Sequence, residues 1–211
     1  TLDAAGQGIE DLTGLEYCMN LTTLLLNNNA ISNLTPLSKL VRLEYLDLGF
    51  GNPMEENSNV DMMADDANAI TNLTPLSTLI NLEYLNVAGN TGITDISVVS
   101  SLSSLTTLWL GQSDLAGKFA PLSSRASTLE LLGIVHCGFT NTDVTTVAGL
   151  THLTAIALMA EENLTDVSGL STLDLQIAAF AYCPITDLSV AANWADLTMA
   201  FMDGISVSNL D

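Results

Sequence analysis

Basic residues are nearly absent from this chain. Lys and Arg together number four among 211 residues, against 24 Asp and Glu, for a formal net charge of −20. A groove for nucleic acid needs Lys and Arg against phosphate, so nucleic acid is excluded as a partner. An anionic membrane surface is disfavoured for the same reason. No apolar run is long enough to cross a bilayer, so membrane insertion is excluded, and no leader of basic start and apolar stretch is visible. The surplus negative charge keeps a surface solvated and self-repelling, and favours cationic partners or divalent ions. Aromatic residues are also scarce, 5% against 48% hydrophobic, as a core of stacked Leu, Ile and Val would give.

The three cysteines, Cys18, Cys137 and Cys183, are an odd number. Cys137 and Cys183 hold the same place two units apart in the pattern described below. At about 4.8 Å per strand they stand roughly 9–10 Å apart, too far to bridge. They read as small buried core residues and leave the redox compartment open. Histidine occurs twice. His136 precedes Cys137 at a strand end, where neighbours point apart, and His152 precedes a strand; a Cys–His nucleophile pair needs hydrogen-bond reach. With no phosphate loop, zinc spacing or serine triad, the chain is expected not to be an enzyme and to carry no cofactor.

What is present is a repeat. The stretch 21–43 reads LTTLLLNNNAISNLTPLSKLVRL. Its first half is L-x-x-L-x-L-x-x-N-x-I, on Leu21, Leu24, Leu26, Asn29 and Ile31. Leu24 and Leu26 are two apart and point to one side of a strand. Asn29 follows where the chain must turn, and its amide can satisfy backbone groups that no ladder reaches. From Ile31 an apolar residue recurs every third position through Leu34, Leu37 and Leu40 to Leu43, as a 3₁₀-like return would have it. One unit cannot bury its own apolar edge, so the fold exists only as an array.

Units start at residues 21, 43, 82, 105, 129, 153, 175 and 197, with spacings of 22, 39, 23, 24, 24, 22 and 22. A partial unit covers 1–20 and another 197–211, making one solenoid domain over 1–211. Neither end shows a polar cap, and the chain begins without Met, so it is expected to be a segment of a longer protein. The long spacing holds an insertion at about 53–69, PMEENSNVDMMADDANA, with Asn52 near the ladder position. It reads as a solvated loop, or as a wall beside the sheet face, since insertions in arrays gather on one face. Glu55, Glu56, Asp61, Asp65 and Asp66 within it would suit calcium by charge, although the spacing matches no EF-hand. Asp11, Asn33, Asn72, Asp95, Asp143, Asp166 and Asp187 each stand just before an every-third run and read as caps of its first turn. Four Asn-Leu-Thr triplets, at Asn20, Asn33, Asn72 and Asn163, fall out of the repeat consensus rather than marking glycosylation.

These units resemble the leucine-rich repeat family in its 22-residue form, and LTTLLLNNNAISNLTPLSKLVRL and ITNLTPLSTLINLEYLNVAGNTGITDIS resemble its internalin and SDS22-like subclass. The departures are the insertion, the two 24-residue spacings and the loss of ladder Asn in later units. The resemblance implies an α/β solenoid: a right-handed horseshoe with a parallel β-sheet on the concave face and 3₁₀ or irregular segments on the convex face. It also implies a binding role without catalytic residues. Internalin-like members are bacterial surface proteins that recognise host or cell-surface targets, and SDS22-like members are intracellular regulators that hold a phosphatase.

The residues alternating with the inward pair must project onto the concave face. Counted from each unit's first Leu, the third, fifth and seventh positions split that face. The N-terminal half offers Tyr45, Asp47, Tyr84 and Asn86. The C-terminal half offers Leu131, Val135, Met159, Ile177, Met199 and Phe201, with Trp109 at the border. Tyr and Trp are common interface anchors, so Tyr45, Tyr84 and Trp109 are expected at the centre of a partner site, with the apolar strip beside it. Alternatively, a following domain or a second copy covers the strip, by self-association through it or through the open ends. Three functions stay open: an extracellular or cell-surface adhesion module for a protein or cell-surface ligand, a cytoplasmic SDS22-like scaffold for a protein partner, and a structural segment of a larger surface assembly.

Overall fold

In the computed structural model, which describes residues 1–50 and 68–207, nine parallel strands form one sheet in chain order. They are β1 (Leu2–Asp3), β2 (Thr23–Leu25), β3 (Tyr45–Asp47), β4 (Tyr84–Asn86), β5 (Thr107–Gly111), β6 (Leu131–Val135), β7 (Ala155–Met159), β8 (Ile177–Ala181) and β9 (Met199–Phe201). Pairing joins the residues that the repeat aligns: Thr23 to Tyr45, Tyr45 to Tyr84, Tyr84 to Thr107, and onward through Leu131, Ala155 and Ile177 to Met199.

Most return segments are short 3₁₀ helices, such as Thr35–Lys39, Thr74–Thr78 and Ser168–Thr172. Pro36 and Pro75 sit in the first turn of theirs, where a missing N–H costs nothing. The unit starting at 129 departs, with a short α-helix, α1 (Val144–Ala148). Its Val147 N–H reaches back four residues to Asp143 while Thr146 N–H reaches three, the mixture expected where a longer return winds one turn more loosely. Sheet and return layer bury one continuous aliphatic core between them, with Leu24, Leu46, Leu85, Leu108, Leu132 and Ile156 wholly enclosed. Each such side chain contributes about 1.5–3 kcal/mol of transfer free energy.

Six of the seven predicted caps work as expected, each taking the N–H two residues on: Asp11 from Thr13, Asn33 from Thr35, Asn72 from Thr74, Asp95 from Ser97, Asp166 from Ser168 and Asp187 from Ser189, at 2.7–3.0 Å. The Thr13 and Ser168 hydroxyls, together with those N–H bonds, hold the Asp11 and Asp166 carboxyls below the usual aspartate range, and the Ser189 N–H and hydroxyl do the same for Asp187. Asp143 instead reaches backward, to the N–H and hydroxyl of Thr140, because it precedes the α-helix rather than a 3₁₀ turn.

The asparagine ladder runs through Asn29, Asn68 and Asn90. Asn68, near the end of the 53–69 segment read as an insertion, belongs to the ladder instead and carries the link expected near Asn52: its carbonyl accepts from Ile31 N–H at 2.9 Å and its amide donates to Leu26 and Leu48 carbonyls at 2.9 Å. Asn52 and the calcium candidates Glu55, Glu56, Asp61, Asp65 and Asp66 lie outside the described residues. Cys137 and Cys183 are buried free thiols, and burial pushes Cys137 up to about 12.

Candidate binding face

Every strand places its third, fifth and seventh unit positions on the side opposite the aliphatic core. The third positions form a row that stays partly open. Thr23, Tyr45, Tyr84, Thr107, Leu131 and Ile177 are half-buried, and Met199 is exposed at the far end. Tyr45 and Tyr84, directly paired across β3 and β4, stack face to face with ring centroids 3.9 Å apart and planes 3° from parallel. Parallel in-register pairing produces this, since it brings identical unit positions side by side.

The fifth and seventh rows behave differently from the exposed face that alternation predicts. Trp109 is 0% exposed, and Val135 and Met159 are buried with it. With Phe50, Ala88, Ala157, Ala179 and Ala181 they make a second apolar cluster, against which Tyr84 and Leu131 pack. Trp109 is therefore a core side chain of the concave side and not an exposed anchor. The reason is complementarity of size across strands. Gly133 faces Trp109 in β6, and an added Cβ there would collide with the Cε3, Cζ3 and Cδ2 atoms of the indole, so the glycine leaves the space the ring occupies. Gly111 similarly makes room, its absent Cβ lying 3.2 Å from the Phe50 ring and 2.8 Å from the Ala88 methyl.

Asp47 and Asn86 are buried too. Their side-chain oxygens accept from Gly49 and Ala88 N–H at 3.0 Å, which closes the strand ends. They act in the backbone rather than as polar recognition groups. Of the expected contact residues, the structure leaves Tyr45, Tyr84, Leu131, Ile177, Met199 and Phe201 reachable, the last 50% exposed.

Two contributors carried a sequence signal of size rather than of pattern. Phe50 follows a strand with no periodic partner, but Gly49, Ala88 and Gly111 run across three neighbouring units at the seventh position, as a floor for large rings would. Glu161 stands at the ladder position of its unit, and is wholly buried. It accepts from Cys137 N–H at 2.8 Å and Phe139 N–H at 2.7 Å.

His136 and Cys137 bond to different backbone carbonyls. His136 contacts the Ala160 carbonyl through Nδ1 at 3.3 Å, while the Cys137 thiol donates to the Val135 carbonyl at 3.4 Å. A shallow hollow of about 350 Å³ opens at the strand ends beside Thr91, Asp114 and His136, away from the Tyr45–Tyr84 row. Among the described residues no three His, Cys, Asp or Glu side chains converge as ligands for a metal ion, and no helix is long and apolar enough to cross a membrane.

The family description "Leucine Rich repeats (2 copies)" matches residues 19–59. Among solved structures, internalin C2 of Listeria monocytogenes is similar at 26% identity and a TM-score of 0.79, over 95% of this chain and 79% of that one. Internalin F of the same organism is similar at 30% identity and a TM-score of 0.77, over 99% of this chain and 55% of that one. A leucine-rich-repeat protein of Leptospira interrogans, 18% identical with a TM-score of 0.61 over 93% of this chain and 52% of that one, shares the fold. Comparison with curated proteins finds no match.

Proposed function

We propose that this chain, a leucine-rich-repeat protein of internalin-like build, is a non-catalytic module that recognises a protein ligand at a bacterial cell surface or after secretion. The likeness to two internalins supports the surface assignment. The observation that carries the binding site is the half-open Tyr45–Tyr84 stack on the concave row. Two parallel rings locked together lose little conformational freedom on binding, and their open faces and edges offer a preformed apolar centre. Thr23 and Thr107 flank them in the same register, and Leu131 and Ile177 continue the row as an apolar shoulder. With 24 acidic residues on the chain, a ligand with a basic rim is favoured over an acidic one.

Binding of the fluorescent chain to intact bacterial and epithelial cells, read by flow cytometry, tests this reading. Tyr45→Ala with Tyr84→Ala removes the anchor pair and should cost about 2 kcal/mol or more, about thirty-fold in Kd. Val41→Ala with Ile80→Ala alters two exposed apolar residues of the return layer and should leave binding unchanged. Trypsin treatment of the cells beforehand should abolish binding. Full binding by the tyrosine variant, or binding that survives trypsin, would refute the concave protein site.

A further inference from the structure

The ladder changes chemistry along the array. Asn29 is a complete link: its carbonyl accepts from Gln7 N–H at 3.0 Å and Ile9 N–H at 2.9 Å, and its amide donates to the Ala4 and Leu26 carbonyls at 2.9 Å. Asn90 repeats the pattern with Ile70 N–H as donor and the Leu48 and Val87 carbonyls as acceptors. Further on the link becomes Ser113, then Cys137, then Glu161, then Cys183. Glu161 reaches the two equivalent N–H groups, of Cys137 and Phe139, with one carboxyl oxygen each. It thus reproduces the accepting half of an Asn link. An ionised carboxylate has no hydrogen to give, so it cannot reproduce the donating half; a protonated one can.

We propose that Glu161 is a proton-dependent link of this ladder, which strengthens the joint between the β6 and β7 units as it takes up a proton and weakens it when ionised. The geometry carries the argument. The side chain is 0% exposed, and its surroundings supply no Lys or Arg, the one ion pair among the described residues being Lys118–Asp114. The titratable groups that face it are the exposed His136 and the buried thiol Cys137 before β7, and the buried thiol Cys183 after β8, with Glu162 beside it in the chain. Taking a carboxylate out of water disfavours its charge. Burial pushes the Glu161 carboxyl above the ordinary glutamate range, outweighing the downward pull of the Cys137 and Phe139 N–H groups and of His136. A folded-state value above the unfolded one, which is about 4.3, gives stability that is complete below the unfolded value. That stability fades as pH rises through the folded value.

Selective ¹³C labelling of glutamate carboxyls and an NMR titration of the chain test the link directly. Melting curves from about pH 4.5 to about pH 8, for the natural chain and Glu161→Gln, run beside it. Gln keeps one acceptor oxygen, which can serve both N–H groups as the single Asn29 oxygen does, and puts a permanent amide donor in place of the other. The expected results are a Glu161 carboxyl that titrates above the ordinary glutamate range, and a natural chain that loses Tm relative to Glu161→Gln as pH rises. His136→Asn should preserve this difference, which separates it from the histidine's own titration. A carboxyl that titrates at or below the ordinary value overturns the proposal, as do parallel melting profiles for the two chains. Should Glu161→Gln fail to fold, the carboxyl titration of the natural chain decides alone.

Discussion

Trp109 and Gly133 act as one unit of packing. The indole occupies the space that any β-carbon at position 133 would need, and the Gly133 backbone lies outside the left-handed region, so only space constrains the residue. Gly133→Ala should then cost about 1–3 kcal/mol by overpacking, or about 2–4 °C of Tm for each kcal/mol in a chain of this size. Displacing the ring should also shift its fluorescence to the red, while Trp194, buried elsewhere against Phe180, stays a constant background. An unchanged Tm with unchanged emission would show that the ring has another place to go. The same pair explains why alternation alone misplaced Trp109. Period two states the side of the sheet and nothing about what a neighbouring strand leaves open; the glycine across the strand pair held that information.

At the scale of elements, two kinds of side-chain bond hold each return segment, and they differ in burial. Ladder links are enclosed, whereas the turn-opening Asp and Asn residues, Asp143 apart, are exposed. Asn90→Ala would strand the Ile70 N–H inside the core, and would take one of two donors from the Leu48 carbonyl, which keeps the Asn68 amide, and from the Val87 carbonyl, which keeps the N–H of residue 90. The stranded N–H costs about 1–3 kcal/mol, and each of the two bonds lost to the carbonyls adds about 0.5–1.5 kcal/mol. Asp166→Ala opens a bond that water replaces, and should cost no more than about 0.5–2 kcal/mol. Chemical denaturation of both variants ranks them, and equal losses would contradict the division. The strand rows were legible because the spacing of Leu24, Leu46, Leu85 and Leu108 depends only on neighbouring turns of chain. The ladder was legible at Asn29 and Asn90 for the same reason. It was misplaced in the unit starting at 43, because an insertion detaches the ladder residue from the strand that counts it in, and Asn68 then keeps the structural place without the sequence distance. Glu161 fell outside an Asn pattern that does not reveal what a longer side chain can reach.

For the whole molecule the dominant fact is unbalanced charge. Regular repetition amplifies it, since a unit that carries an acid at one position stacks it beside the next: Asp166 and Asp187 cap successive returns, and Asp166 repels Asp187. The single ion pair among the described residues, Lys118 with Asp114 at 3.9 Å on an exposed turn, offsets little of this. Curvature and register come from the aliphatic core, so the charge does not choose the fold; it taxes the stability of the stack and sets the company it keeps. Salt should relieve that strain. Screening shortens from about 30 Å at 0.01 M to about 3 Å at 1 M, below the distance between stacked returns. Tm should therefore climb through the first tenths of a molar of NaCl and then level off, with chloride and sulfate matching at equal ionic strength over that first rise. A gain that instead grows steadily and follows the identity of the anion would belong to preferential exclusion from the surface, and would assign the marginal stability of the array to its packing rather than to its charge.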